Sequence, residues 1–262
     1  MTLEAQAMSV ETFSLDPEVP GLPIPRGRGK TQGGRGPRRV SVAQAKALQE
    51  RLKCRVIQAR EFPPEEIRLV AGTDISYLGD RKLSLAAVVV MEYRSLRVVE
   101  ERVAAKSVDF PYVPGLLSFR ELPALLEALG GLRCRPDVII ADGQGLAHPR
   151  FFGLACHLGV VTGIPTIGCA KSRLVGEHGE PGPEKGDWTP LLYQGRTVGA
   201  VLRTRKGVKP VYVSVGHKTD LEFCIRVVMD CLRGFRLPEP QREAHRLAEA
   251  CKKKAGPGSG VA

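Results

Sequence analysis

From Ser41 onward the chain alternates apolar and polar positions, and the spacing of the apolar ones predicts its elements. Ser41 precedes a run with Ala45, Leu48 and Leu52 on one face, which predicts a helix over residues 41–55. Three strand-like runs follow at 68–77, 83–93 and 97–107, broken at hairpin lengths by Gly79-Asp80 and Arg94-Ser95. They predict an antiparallel meander. Pro114 then opens a helical stretch ending near Gly130-Gly131, the positions where proline and glycine suit a helix start and stop. Residues 137–142 read as a buried strand, 149–161 as a helix and 165–170 as a strand. The pattern closes with a hairpin over 191–203 turning at Gln194-Gly195, a strand at 211–215 and a helix at 219–233.

Three antiparallel strands followed by alternating helix and strand predict an α/β fold with a mixed sheet and helices on both faces. That order is the one a ribonuclease H-like fold requires. The expected organisation is a disordered Arg/Gly-rich arm over residues 1–40, a catalytic domain over 41–248 and a basic flexible tail over 249–262. The chain has 262 residues, 43% of them hydrophobic, which is enough for a sizeable core. Its formal charge of +11 is concentrated in the segment 19–49 and in Lys252, Lys253 and Lys254, with a mildly basic body between. Such a balance suits a polyanionic partner such as nucleic acid, with a merely soluble basic surface as the bland alternative. The longest apolar run, Leu85 to Met91, has a strand's length, so no membrane span is expected. There is no charged start followed by an apolar stretch, and the seven cysteines form no C-x-x-C pair. The expectation is a cytoplasmic monomer with reduced thiols.

Three acids stand out. Asp74 lies inside a strand run, where Asp is disfavoured, and shares a face with Val70, Gly72 and Ser76. A bulge or an early strand end is the ordinary alternative. Asp142 ends a buried strand and is followed by Gly143 and Gly145, which let a backbone approach a ligand without an intervening Cβ. Glu121 falls on the helix that Pro114 opens, about two turns in, where a lone glutamate is usually just solvated. Two strand aspartates and a glutamate from the intervening helix can converge on hard divalent cations such as Mg2+. Such ions serve phosphodiester cleavage.

Other candidates surround them. His217 stands between a strand and a helix, either as a proton carrier or as a helix-start residue. Lys171 follows a strand as Asp142 does, and suits a scissile phosphate unless it is only a surface lysine. His148, before Pro149, sits at the mouth of a helix where a strand phosphate could bind. Tyr112, between Pro111 and Pro114, is either a rigid wedge between bases or a core tyrosine.

The stretches "PYVPGLLSFREL", "DGQGLAHPRFFGLACHLG" and "IPTIGCAKSRL" resemble signature blocks of the endonuclease V family, the deoxyinosine 3′-endonucleases. "VAGTDISY" and "VSVGH" are similar to its first and last blocks, and the likeness spans residues 41–248. It implies a ribonuclease H-like nuclease for DNA repair, dependent on Mg2+ with Mn2+ as substitute. It also implies recognition of inosine, the deaminated form of adenosine, and cleavage of the second phosphodiester on its 3′ side. On matching positions it implies Asp74, Glu121 and Asp142 as metal-binding catalytic acids, His217 as the active-site histidine and Lys171 near the phosphate. Tyr112 falls in the wedge motif, while Gly115, Leu117, Gly143 and His148 fall in segments that line the base pocket or hold the strand. Cys169 stands where a small aliphatic residue is expected. Three alternatives stay open at this point: an inosine-specific endoribonuclease, a ribonuclease H-like nuclease indifferent to inosine, and a noncatalytic nucleic-acid-binding protein.

Overall fold

The computed structural model describes residues 40–79 and 82–255, so the expected arm (Val40 apart), Asp80 of the first expected turn and residues 256–262 lie outside the described residues. Ten-residue runs, the first two buried almost throughout, give β1 (Leu69–Leu78), β2 (Leu83–Glu92) and β3 (Val98–Ser107), paired as the expected antiparallel meander. Next come β4 (Val138–Ala141) and β5 (Thr166–Ala170), which extend the sheet parallel to β1. Every residue of these two strands is buried, as expected of parallel strands covered on both faces. The hairpin β6 (Trp188–Tyr193) and β7 (Arg196–Leu202) turns at Gln194 and Gly195, both at positive φ, the twist a two-residue hairpin turn needs. With β8 (Val211–His217) the order across the eight-stranded sheet is β3-β2-β1-β4-β5-β8-β7-β6.

Helix α1 (Val42–Leu52) starts at Ser41 through a capping box with Gln44, in which each side chain bonds the other's backbone N–H. Two helices begin later than their apolar patterns predict. Gly115 adopts a φ of +76°, so the segment that Pro114 opens is a turn, and α2 runs over Ser118–Gly130. Glu121 is thereby in the first helical turn rather than two turns in. Phe151, at a φ of +53°, likewise delays α3 to Leu154–Thr162. The leucines of α2 and α3 pack with Ala71, Val88, Val90 and Ile139 on one face of the sheet. Helix α4 (Leu221–Asp230) follows β8, capped by Asp220.

The fifth helix, α5 (Glu239–Lys254), is absent from the sequence pattern, and it corrects the expectation of a flexible tail from residue 249. It buries only small or polar residues, Ala244 and Ala248 among them, so no apolar stripe announces it. It covers the opposite face of β1, the face of Gly72, Asp74 and Ser76. Two strand residues rise about 6.6 Å and four helix residues about 6 Å, so α5 and β1 run in step. Pro240 meets Gly72, His245 meets Asp74 and Glu249 meets Ser76. A Cβ on Gly72 would stand 2.0 Å from the Pro240 carbonyl carbon, so this approach requires glycine.

Candidate active site

The strand register brings two of the acids together. Thr73 of β1 pairs with Ala141 of parallel β4, so the next residues along, Asp74 and Asp142, stand side by side where β4 ends. The Asp142 carboxyl stands close enough to raise that of Asp74. β1 continues unbroken through Asp74, which pairs with Ala87, so neither a bulge nor a strand end explains the acid. Glu121 reaches the same edge from the first turn of α2, buried, with the Tyr77 hydroxyl donating to its Oε1 at 3.0 Å. Burial, with Asp142 and Asp74 nearby, pushes the Glu121 carboxyl up to about 8. Burial and the adjoining Asp142 carboxyl raise Asp74 to about 6, against the opposing pull of His245 and Lys171. The Lys171 ammonium donates to Asp142 Oδ2 at 2.6 Å, and it stays protonated because that carboxylate outweighs the effect of burial.

The histidine at this cluster is not the one expected. His217 ends β8, where it pairs with Thr166 at the start of β5, whereas Lys171 and Asp142 follow the far ends of β5 and β4. Four strand residues separate those levels, roughly 13 Å. His217 is buried, its Nδ1 accepts the Ile57 N–H at 3.2 Å, and burial together with the neighbouring Lys218 charge lowers it to about 4. The structure therefore leaves it away from the acid cluster, bonded to the backbone of Ile57. His245 of α5 takes the place assigned to it: its Nδ1 donates to Asp74 Oδ2 at 3.0 Å, and its side chain is 55% exposed. With the proton on Nδ1, Nε2 is left to take or give a proton on the open side. The sequence signal lies in "PEPQREAHRLAEA", a helix whose start is marked by Pro238 and whose buried face is alanine.

The remaining candidates divide. Tyr112 is 71% exposed, which removes the core reading, and its ring lies 6.0 Å from the Arg120 guanidinium. Gly115 is buried, and its carbonyl accepts from Gln49 at 3.1 Å, His148 at 2.9 Å and Arg150 at 2.5 Å. The second nitrogen of His148 accepts the Arg150 N–H, so both ring positions are spent inside the protein. His148 therefore corrects to a clamp on the Gly115 loop rather than a contact to a strand phosphate. Burial, which lowers it to about 4, keeps it neutral. Leu117 is half-buried at the start of α2, while its neighbour Leu116 is the core residue. Gly143 follows Asp142, and a Cβ there would press on Leu154 at 3.1 Å. Gln144, conspicuous between Gly143 and Gly145 but without a role in the sequence, donates from Nε2 to the Ser172 carbonyl and so ties the Asp142 loop to the Lys171 loop.

Among the described residues no three acid, histidine or thiol groups stand at mutual cation-binding spacing, and Lys171, His245 and Tyr77 each bond one of the acids. The donor chemistry nevertheless fits a hard divalent cation: two adjoining carboxylates, a third close enough to feel both, and only oxygen atoms offered. The raised acids carry a testable consequence. Asp74 and Glu121 hold their protons in the folded chain above their ordinary values of 3.8 and 4.5. The folded state therefore binds more protons than the unfolded one, and the cluster's contribution to stability is lost as pH rises through about 6 and about 8. Scanning calorimetry of metal-free protein should show this loss, and Mg2+ at about pH 8.5 should raise Tm by about 4 °C or more. A Tm indifferent to Mg2+ at that pH would remove the cation from the site.

A profile of the endonuclease V family matches residues 50–246. The chain belongs to the endonuclease V family. An endonuclease V from Roseiflexus sp. (strain RS-1) is 55% identical over 209 residues, covering 80% of this chain and 92% of its own length. The crystal structure of a Streptomyces avermitilis endonuclease V superposes with a TM-score of 0.80 at 44% identity, covering 84% of this chain and 96% of that one. A Ciona intestinalis endonuclease V, solved in complex with a DNA containing an inosine followed by a ribo-adenosine, superposes with a TM-score of 0.73 at 27% identity. That match covers 82% of this chain and 98% of the relative.

Proposed function

We propose that this protein is a deoxyinosine 3′-endonuclease that recognises deaminated adenine in DNA and cleaves the second phosphodiester on its 3′ side. The observation that carries the reading is the edge of β1 and β4, where Asp74, Asp142 and Glu121 meet His245 and Lys171. In this reading the three acids hold Mg2+, with Mn2+ as substitute. A cation held by these acids would supply activation of water and stabilisation of the leaving oxygen in phosphodiester hydrolysis. Lys171 places an ammonium beside Asp142 to meet the scissile phosphate, and His245 fixes the Asp74 carboxylate while its Nε2 moves a proton. A pure binding protein gains nothing from burying acids where phosphates must lie.

Recognition falls to the opposite side of the cluster. The Pro111–Pro114 loop presents Tyr112 to solvent, ready to fill the stack that a displaced base leaves. In this reading Gly115 and Gly143 lie beside the path of the base, and the His148 and Arg150 bonds to the Gly115 carbonyl hold that loop in shape. An inosine mismatch pairs weakly, so turning the base outward costs little. Replacing Tyr112 with alanine is expected to weaken inosine-strand affinity about tenfold, the order of one lost stacking contact, with the cation site intact. Affinity measured in calcium, equal for Tyr112→Ala and the parent protein, would remove the wedge.

The deciding assay is Mg2+-dependent cutting of matched strands with and without one inosine, in DNA and in RNA. Cutting of the inosine DNA alone supports the proposal, and equal cutting of both DNA strands points to a nuclease indifferent to the lesion. A ribonucleotide beside the inosine in the Ciona complex makes the RNA arm informative, since a strong preference there points to an endoribonuclease. All seven cysteines are free thiols, and among the described residues no helix is long and apolar enough to cross a membrane. The free thiols suit the reducing cytoplasm, and we propose a cytoplasmic, monomeric enzyme.

A further inference from the structure

Beside the acid cluster lies a cleft of about 670 Å³ whose lining residues, Lys171 apart, have no part in the activity above. Lys171 belongs to both: it touches Asp142 and lines the cleft. Arg173, Lys209, Arg236 and the rings of His178 and Tyr212 form much of the rest. Arg236 donates to the carbonyls of Lys171, Lys209 and Pro210, stitching the loop after β5 to the loop before β8. Its partners are neutral, so its charge remains in the wall. Arg203 and Glu180, also at the cleft, cancel each other in an ion pair of 2.6 Å. Arg173 and Lys209 are exposed and have no carboxylate partner among the described residues. The potential in the cleft is therefore positive, and only charged groups on a ligand would neutralise it.

One wall is aromatic. The rings of His178 and Tyr212 stand 5.7 Å apart, edge to face, with the tyrosine hydroxyl 3.5 Å from His178 Nε2. Cationic groups beside ring faces are the combination that holds single-stranded nucleic acid, with phosphates on the cations and a base on the ring. The volume is in the ordinary range for a ligand cleft, roughly 300–1,000 Å³. Position gives the direction. The Tyr112 side flanks β1, by way of Arg120, which also lies over the Tyr77 ring. The cleft flanks β5, β8 and β7, beyond β4 in the sheet. A strand that presents its lesion near Tyr112 and its scissile phosphate at Asp142 would next enter the cleft.

We propose that this cleft is a binding subsite for the cleaved strand on the 3′ side of the cut, holding the first one or two nucleotides after the scissile phosphate in single-stranded form. The proposal rests on the endonuclease reading for the direction of the strand, though not for the chemistry of the site. The double variant Arg173→Glu and Lys209→Glu tests it in the full chain, since neither side chain supports the fold through an ion pair. Two measurements are made. The first is the KM and kcat for an inosine strand, either long or trimmed one nucleotide after the cut. The second is the direct affinity for a 5′-phosphorylated trithymidylate, which carries the cleft chemistry without a lesion.

In the parent protein, trimming should raise KM about tenfold with kcat little changed. The double variant should show the raised KM on the long strand and no further response to trimming. The slope of log affinity against log salt should fall by about 1.4, the share of two single-strand phosphates. Trithymidylate should bind the parent at least tenfold more tightly than the variant. If the parent cuts inosine strands while the variant matches it in KM, trimming response and trithymidylate affinity, the subsite is overturned and the activity stands. If the parent cuts nothing but loses trithymidylate binding on substitution, the activity is overturned and the cleft stands as a nucleotide site.

Discussion

Replacing Asp142 with asparagine is expected to slow cleavage of an inosine strand about a thousandfold while leaving strand affinity unchanged or slightly tighter. The substitution keeps the side chain's size and removes its charge, so the backbone of the loop after β4 has no cause to move. What is lost is a cation ligand, and the transition-state stabilisation such an ion supplies is several kcal/mol, which converts to that factor. Binding behaves differently because of Lys171. Its ammonium is paired with Asp142 at 2.6 Å, and asparagine releases its full charge to the phosphate. Single-turnover cleavage and equilibrium binding in calcium separate the two effects. A variant that cuts within about threefold of the parent would take Asp142 out of the mechanism.

The second large effect is a contrast between two histidines. His245→Ala should lower kcat about a hundredfold or more, the usual share of a positioned proton carrier, and should change the pH profile of kcat. His217→Ala removes an acceptor from the Ile57 N–H and opens space in a buried wall. Its expected cost is about 1–3 kcal/mol of stability, with the kcat of the folded fraction preserved. Activity measured below the variant's Tm distinguishes them. The reverse outcome, with His217 essential and His245 dispensable, would return the active-site role to the end of β8.

This contrast also marks where the sequence stopped being readable. The strands were legible because each carries either alternating or continuous apolar runs, and the Asp74 and Asp142 assignment followed from acids standing where such runs tolerate none. The capping of Ser41 and the turn at Gln194-Gly195 were legible from local chemistry alone. Helix α5 was not, because it buries alanines, a proline and a glutamine rather than leucines, and its affinity for β1 comes from the bare surface at Gly72. Losing α5 meant losing His245, and the role then fell to the next histidine near a strand end. His148 misled for a related reason: its place at a helix mouth is visible in sequence, whereas the carbonyl of Gly115 that captures it is brought close only by tertiary folding. The starts of α2 and α3 were misplaced because residues at positive φ interrupt segments whose composition reads as helical.

A divalent cation held jointly by acids from two strands and a helix is what the proposed cleavage requires. The most direct test is binding of Mn2+, followed by electron paramagnetic resonance, in the parent protein and in Asp74→Asn, Glu121→Gln and Asp142→Asn. Saturable binding in the parent that weakens at least tenfold in each of the three variants is the expected result. Equal Mn2+ binding in the parent and all three variants would contradict it.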